Sequence, residues 1–365
     1  MDIDMKKNWK KSLIILVLLP FFSWMDAKTI QEVVSQPLDT IEYRVFVAAD
    51  KAGVEHWGGI EAYRIKLDSF FQQVNDFWNK AGDGRFKYYF RYVPDLQVVY
   101  DCSSLHVESV YNRSEGFPNH DVLLIIDSIL DFDDEESAQG WYCGGGAGDL
   151  NIVVCRSRSK TEYEDLFGID YFYRGIAHEF GHYRGVTDLY ADKIEAKNNP
   201  INHLQYDPAS CVMNNHFDTY KWSSYAVNII NYTAKSKRPS RDFPGFFKQM
   251  FPENIQVSVN VNGKRKKGVK LNLYGSRAWF NDLIATPYRT YETDKRGEYL
   301  ITGVPDLYDQ PVPPLHTDEL PYNRWFTFLL EAEYKGEKKY VWLPEYEVQQ
   351  TFFENKDTYQ VKIDF

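Results

Sequence analysis

The sequence predicts an α+β protein in two parts: an α/β-type unit with a twisted mixed sheet over residues 43–235, then an all-β sandwich over 255–365. Three observations lead there. From Tyr43 onward, strand-like and helical periodicities alternate. A helix carrying paired histidines, His178 and His182, follows the last of these strands. Beyond residue 254 the helical period disappears and short β-rich runs recur between turn signals. At 365 residues the chain is long enough for two domains, and its 44% hydrophobic and 16% aromatic content supports packed cores.

Residues 1–27 read as an export signal peptide. Lys6, Lys7, Lys10 and Lys11 make a basic start, Leu13 to Trp24 an apolar run broken by Pro20 and Ser23, and Ala27 a small residue for cleavage. The run is short for a membrane span, so the mature chain is expected to lack a transmembrane domain and to be secreted, periplasmic or at the cell surface. An uncleaved anchor is the alternative, because Met25 is a poor residue near the cleavage point. No cysteine lies there, which leaves a lipoprotein anchor unsupported. The formal charge is −10, and the leader carries four lysines and three aspartates, so the mature charge would be about −11. Such acidity argues against a nucleic-acid partner, which would require a basic face. Export makes disulfides available to Cys102, Cys143, Cys155 and Cys211. A Gly-rich turn would favour Cys143 with Cys155, and unpaired buried thiols are the alternative.

After a short N-terminal segment (28–42), YRVFVAAD (43–50) reads as a strand. Glu61 to Ala81 has helical spacing, with Tyr63, Leu67, Phe70, Phe71, Val74, Phe77 and Trp78 on one apolar side. FKYYFRYV (86–93) alternates again, and Val122 to Ile129 reads as a buried strand. Asp131 to Glu136 (DFDDEE) could gather oxygen ligands for calcium, but no spaced ligand pattern supports that, and a solvated acidic loop is preferred. Gly144, Gly145, Gly146 and Gly148 precede a strand at Asn151 to Cys155 and fit no nucleotide-binding pattern.

The chemistry concentrates in HEFGHYRGVTDLY, His178 to Tyr190. Residues four apart share a helix face, so His178 and His182 can offer two imidazole nitrogens to one metal ion. Glu179 beside them can take a proton from a metal-activated water. A tetrahedral zinc with one open position needs a third protein ligand. Gly185 can adopt positive φ, end the helix and turn the chain, so that Asp188 returns to the metal. His203, His216 and Glu195 also follow the helix and are other candidate ligands, though none stands at the spacing that Gly185 makes natural.

With Met213 in Ser210-Cys211-Val212-Met213, these residues resemble the metzincin clan of zinc metallopeptidases, whose pattern is HExxHxxGxx(H or D) followed by a methionine turn. Aspartate as third ligand resembles the snapalysin-like members, and the DLY ending resembles the bacterial immunoglobulin-A-type peptidases, whose spacing is one residue longer. The clan's usual tyrosine two residues after the methionine is absent, Asn215 standing there. The resemblance implies one catalytic Zn²⁺ on His178, His182 and Asp188, Glu179 as the base, and Gly185 and Met213 as structural residues near the site. It also implies a substrate peptide added as a strand along the sheet edge, where the glycines would let a backbone approach closely; an ordinary hairpin tip is the equal alternative for them.

Tyr220 to Ala234 reads as the closing helix of this unit, and 236–254 as a linker, with SKRPSRDFPG and Pro252. The β-rich runs then are IQVSVNV, VKLNLYG, GEYLITG, RWFTFLLEAEY, KKYVWLP and TYQVKIDF. GVKLNLYGS with TDKRGEYLITG resembles transthyretin-like or carboxypeptidase-regulatory modules. KRKK (264–267) reads as a solvated hairpin turn. The expected protein is a secreted zinc-dependent endopeptidase acting on protein or peptide substrates. The rival expectation is a secreted protein whose β-sandwich binds a surface protein or glycan, built on a catalytically degenerate scaffold.

Overall fold

The computed structural model describes residues 37–101, 119–127, 141–146, 152–157, 166–168, 171–242, 246–277, 281–310 and 324–365. The export leader, the acidic stretch 131–136, Gly148, Cys102 and the last residues of the expected strand at 122–129 lie outside them.

The chain begins with β1 (Thr40–Asp50), then α1 (Lys51–His56) and the long α2 (Ile60–Ala81). Asp50 caps α1 by accepting from the Gly53 amide at 2.9 Å. Helix α2 buries Tyr63, Leu67, Phe70, Phe71, Val74, Phe77 and Trp78, the side that the spacing marked as apolar. Next come β2 (Tyr89–Tyr100), β3 (Val122–Asp127), β4 (Trp141–Gly146) and β5 (Ile152–Ser157). β2 starts three residues later than the alternation suggested, because Phe86 is buried against the Trp78 ring (6.4 Å between centroids) before the strand begins. It then runs on through Pro94, which its edge position tolerates.

The five strands form one sheet in the order β2-β1-β3-β5-β4. β1 pairs in parallel with β2 and β3, and β3 with β5, whereas the edge strand β4 runs antiparallel to β5. The central strands are apolar throughout, as a parallel sheet covered on both faces requires: Val45, Val47, Ala48 and Ala49 of β1 and Val122, Leu123 and Ile125 of β3 are wholly buried. Cys143 and Cys155 stand opposite each other in the β4/β5 register. Cys211 is a free, buried thiol.

Helix α3 (Phe172–Tyr183) follows and packs against α2, β4 and β5. Beyond an irregular stretch comes α4 (Ser224–Thr233), shorter than expected because Ser223 caps it by accepting from the Ala226 amide. The stretch 236–254 contains two short helices, α5 (Pro239–Asp242) and α6 (Phe246–Gln249), and buries Met250 and Phe251.

The C-terminal part holds β6 (Asn254–Val261), β7 (Lys264–Arg265), β8 (Lys270–Arg277), β9 (Asp282–Leu283), β10 (Arg289–Glu292) and β11 (Glu298–Thr302). After α7 (Val304–Tyr308) come β12 (Trp325–Tyr334), β13 (Glu337–Pro344), α8 (Glu345–Phe353) and β14 (Thr358–Asp364). They make two sheets, β10-β8-β12-β13 with β9 on β8, and β11-β6-β14 with β7 on β6. Ile255, Val257, Leu271, Leu273, Phe328 and Val361, drawn from both, share one core. The architecture is mixed α+β. Helix α8 was not foreseen, and it proves to face the first half: Asn228 of α4 donates to Gln350 at 2.7 Å, and the Tyr206 and Tyr346 hydroxyls lie 2.5 Å apart. The larger core of the first half accordingly includes Leu329 and Tyr346. Among the described residues no helix is long and apolar enough to cross a membrane.

Candidate metal centre

Helix α3 presents two stripes. Phe172, Ile176, Phe180 and Tyr183 are buried, with Phe180 stacked on Tyr92 of β2 at 4.2 Å. Burying a ring of that size contributes about 2 to 3 kcal/mol and fixes the rotation of the helix. Roughly opposite, at four-residue intervals, lie Arg174, His178 and His182. The helix ends as Gly185 demands: its φ is +90°, its amide donates to the His182 carbonyl at 2.8 Å, and the Val186 amide donates to the Gly181 carbonyl at 3.0 Å. This pair of bonds is the Schellman ending, and it reverses the chain within three residues.

Asp188 returns to the histidines. Its Oδ1 lies 3.0 Å from His178 Nε2 and 3.2 Å from His182 Nε2. Each histidine spends its other nitrogen on a backbone carbonyl: His178 Nδ1 on Val212 at 3.1 Å and His182 Nδ1 on Val186 at 2.8 Å. A carbonyl can only accept, so Nδ1 carries a proton in each imidazole, and a neutral ring points its Nε2 lone pair at Asp188. Oδ1 therefore has no hydrogen-bond partner although two nitrogens are within reach. Three acceptors that converge when both imidazoles are neutral call for a cation, either a proton or a metal ion, and two imidazoles with one carboxylate suit zinc better than hard oxygen-seeking ions. Asp188 also draws a proton onto His182. Burial opposes protonation of His182, yet the bond to and charge of Asp188 outweigh it and lift the imidazole to about 9. Burial would raise Asp188, but the two imidazoles hold its carboxyl well below the usual range.

Glu179 is buried, its Oε1 4.0 Å from His178 Nε2, and with His178 and His182 it forms a group whose ligand atoms lie within 4.8 Å of one another. Met213 is fully buried under the helix, where a Cβ on Gly181 would come within 2.5 Å of its sulfur. The Met213 carbonyl accepts from the Leu189 amide at 3.0 Å, so the methionine turn holds both the helix and the ligand loop.

The other candidate ligands fall elsewhere. His203 is exposed, and Glu195 pairs with Lys197 at 2.8 Å. His216 does approach, its ring 5.0 Å from that of His178. Burial, followed by the charges of His178 and Arg174, pushes it down to about 4, so it is neutral near pH 7.

Several residues that shape the site gave no sequence signal. Arg184 is wholly buried at the C-terminus of α3, where a cation is favourable. It donates to the Thr233 and Ser236 carbonyls and lies over the Tyr43 and Tyr183 rings at 4.6 and 4.7 Å, locking the metal helix to α4. Glu345 and Thr327 reach the ligand loop from the C-terminal half, and Arg324 donates to Glu345. Only spatial proximity reveals them, since they lie more than 130 residues further along the chain.

No family model matches the chain, and no curated protein matches it. One solved structure that it does match, described as a chaperone-substrate complex, is 12% identical and has a TM-score of 0.32, over 55% of this chain and 35% of that one. The chain thus spans about a third of that neighbour, and so slight a likeness carries no argument about fold or function.

Proposed function

We propose that the protein is a zinc-dependent endopeptidase of metzincin type, exported and acting on protein or peptide substrates. One observation carries the reading: Nε2 of His178 and Nε2 of His182 converge on Oδ1 of Asp188 at 3.0 and 3.2 Å, and the Glu179 carboxylate stands beside them. Zinc held there would lower the pKa of a water and polarise a carbonyl. The chain's own groups do the rest. The Val212 and Val186 carbonyls fix both imidazoles in the ligand tautomer. Glu179 takes the proton of the attacking water and passes it to the leaving amine. Asp188 brings a negative charge, which lowers the net charge of the centre compared with three histidines and leaves more of the work to the surrounding hydrogen bonds.

The sheet supports a peptide substrate. β4, glycine-rich and antiparallel to its neighbour, is the edge strand next to α3 among the described residues, and such an edge would let an extended backbone add as a further strand. In this reading the two C-terminal sheets make up an accessory β-sandwich.

Glu179→Ala leaves every ligand in place and removes only the proton acceptor. Cleavage of an unbiased peptide library should fall by at least about 10²-fold while zinc content stays at wild-type level. Equal cleavage by both proteins would place the base elsewhere or expose the activity as contamination.

A further inference from the structure

The loop that carries Asp188 is gripped on both sides by the C-terminal half. Immediately before the ligand, the Thr187 hydroxyl donates to Glu345 Oε1 at 3.4 Å. Just after it, Ala191 and Phe326 pack together as a small buried pair. One residue further, Asp192 Oδ1 accepts from the Thr327 hydroxyl at 2.7 Å. The Arg324 guanidinium completes the bracket, donating to the Glu345 carboxylate and lying over the Phe326 ring at 3.9 Å. Glu345 begins α8, while Phe326 and Thr327 belong to β12.

Glu345, Asp192 and Thr327 are wholly buried. Among the described residues Asp192 Oδ2 has no hydrogen-bond partner, and the Thr327 hydroxyl makes the one side-chain hydrogen bond to that carboxyl. Leaving a buried carboxyl without any partner is costly, and the loop must move if the bond is lost. Within the first half, the residues around Asp188 are held by main-chain bonds at Val186, Leu189 and Ala191 and by the Thr187 hydroxyl 3.4 Å from that of Tyr225, and none of these ties the carboxyl to the histidines.

We propose that Thr327 and Glu345 are positioning residues of the metal centre: the second half of the molecule aims the third ligand at the two histidines of the first. The proposal rests on the zinc reading above. It makes the β half part of the metal site, with metal affinity set by hydroxyl and carboxyl groups that never touch the metal. Altering such outer groups changes metal affinity by roughly 10- to 100-fold in known sites.

The test uses the full chain with three substitutions. Thr327→Val is nearly isosteric and removes only the hydroxyl, Thr327→Ser restores it, and Thr293→Val is a control within the same half. The Thr293 hydroxyl accepts from the Val269 amide and donates to the Lys266 carbonyl, bonds that do not reach the ligand loop. Zinc affinity, read by competition with a chelator, should fall about tenfold in Thr327→Val, recover in Thr327→Ser and stay unchanged in Thr293→Val. Hydrogen exchange on the metal-free protein should show faster exchange across residues 186–192 in Thr327→Val alone. Wild-type zinc affinity and unchanged exchange in Thr327→Val would overturn the proposal. So would an equal loss of affinity in Thr293→Val, which would mark a general loss of stability. A wild-type chain that binds no zinc would sink the zinc reading, and with it the link to metal affinity, while the exchange data would still report whether Thr327 holds the loop.

Discussion

The metal helix and the ligand loop lie one after the other in the chain, yet they are held in different ways. Helix α3 is fixed by its own spacing and near neighbours: Phe180 against Tyr92, the Gly185 ending, and Met213 under Gly181. The loop from Val186 to Asp192 is held by the helix end and the methionine turn and, in addition, by residues that come more than 130 positions later. The helix can be found from local pattern because its geometry is a local consequence of sequence. The loop is legible only in part: Gly185 and the spacing place Asp188, whereas the groups that brace it lie far along the chain.

The largest effect is expected where the local half is broken. A side chain at Gly181 has no room, since even a Cβ would come within 2.5 Å of Met213 Sδ and 3.3 Å of Trp222. Gly181→Val should cost about 3 kcal/mol in urea denaturation and lower zinc affinity at the same time. Wild-type stability would mean that the methionine turn yields easily and that the helix is not seated on it.

Gly185→Ala tests the hinge between the two regions. An L-residue held at φ +90° costs about 1 to 2 kcal/mol, and relief of that strain would swing Asp188 away from the histidines. Zinc affinity should therefore fall more than stability does. If affinity were untouched, the helix ending would not be what aims Asp188.

A smaller effect is expected from the distant half, and it depends on pH. Burial, then the charge of Glu345, pushes the Asp192 carboxyl well above the usual range. Burial raises Glu345 as well, against Arg324, which lowers it. Thr327 and Arg324 lower Asp192, and Glu347 raises it further. An acid raised in the folded state keeps a proton that the unfolded chain gives up. Its stabilising contribution is complete below the ordinary carboxyl value and is lost as pH rises through the raised one. Asp192→Asn removes this titration while keeping an acceptor for Thr327. Between about pH 5 and about pH 8 the variant should lose less stability than wild type. Parallel profiles in urea denaturation would show that Asp192 is already ionised in the fold.

The contrast also explains how far sequence reading reached. The apolar side of α2, the parallel strands and the positions of His178, His182, Gly185 and Asp188 all follow from periodicity or spacing, and the structure brings these residues together. The opposition of Cys143 and Cys155 was similarly within reach, because a glycine-rich stretch between two strand-like runs favours bringing its flanks together. Helix α8 was not legible. EYEVQQTFF has a weak helical pattern, and what makes it a helix with Glu345 at its start is docking on α4 and the ligand loop. Arg184 was illegible for a related reason: a buried arginine reads as a surface one until the carbonyls and rings around it are known.

The most direct measurement is the zinc affinity of Asp188→Ala beside that of wild type, by chelator competition on the full chain. Wild type is expected to hold one zinc per chain, Asp188→Ala to bind at least about 10²-fold more weakly, and Asp188→His to regain most of the loss. Full affinity in Asp188→Ala, with the loss appearing instead in His216→Ala, would contradict the assignment of the loop carboxylate as the third ligand.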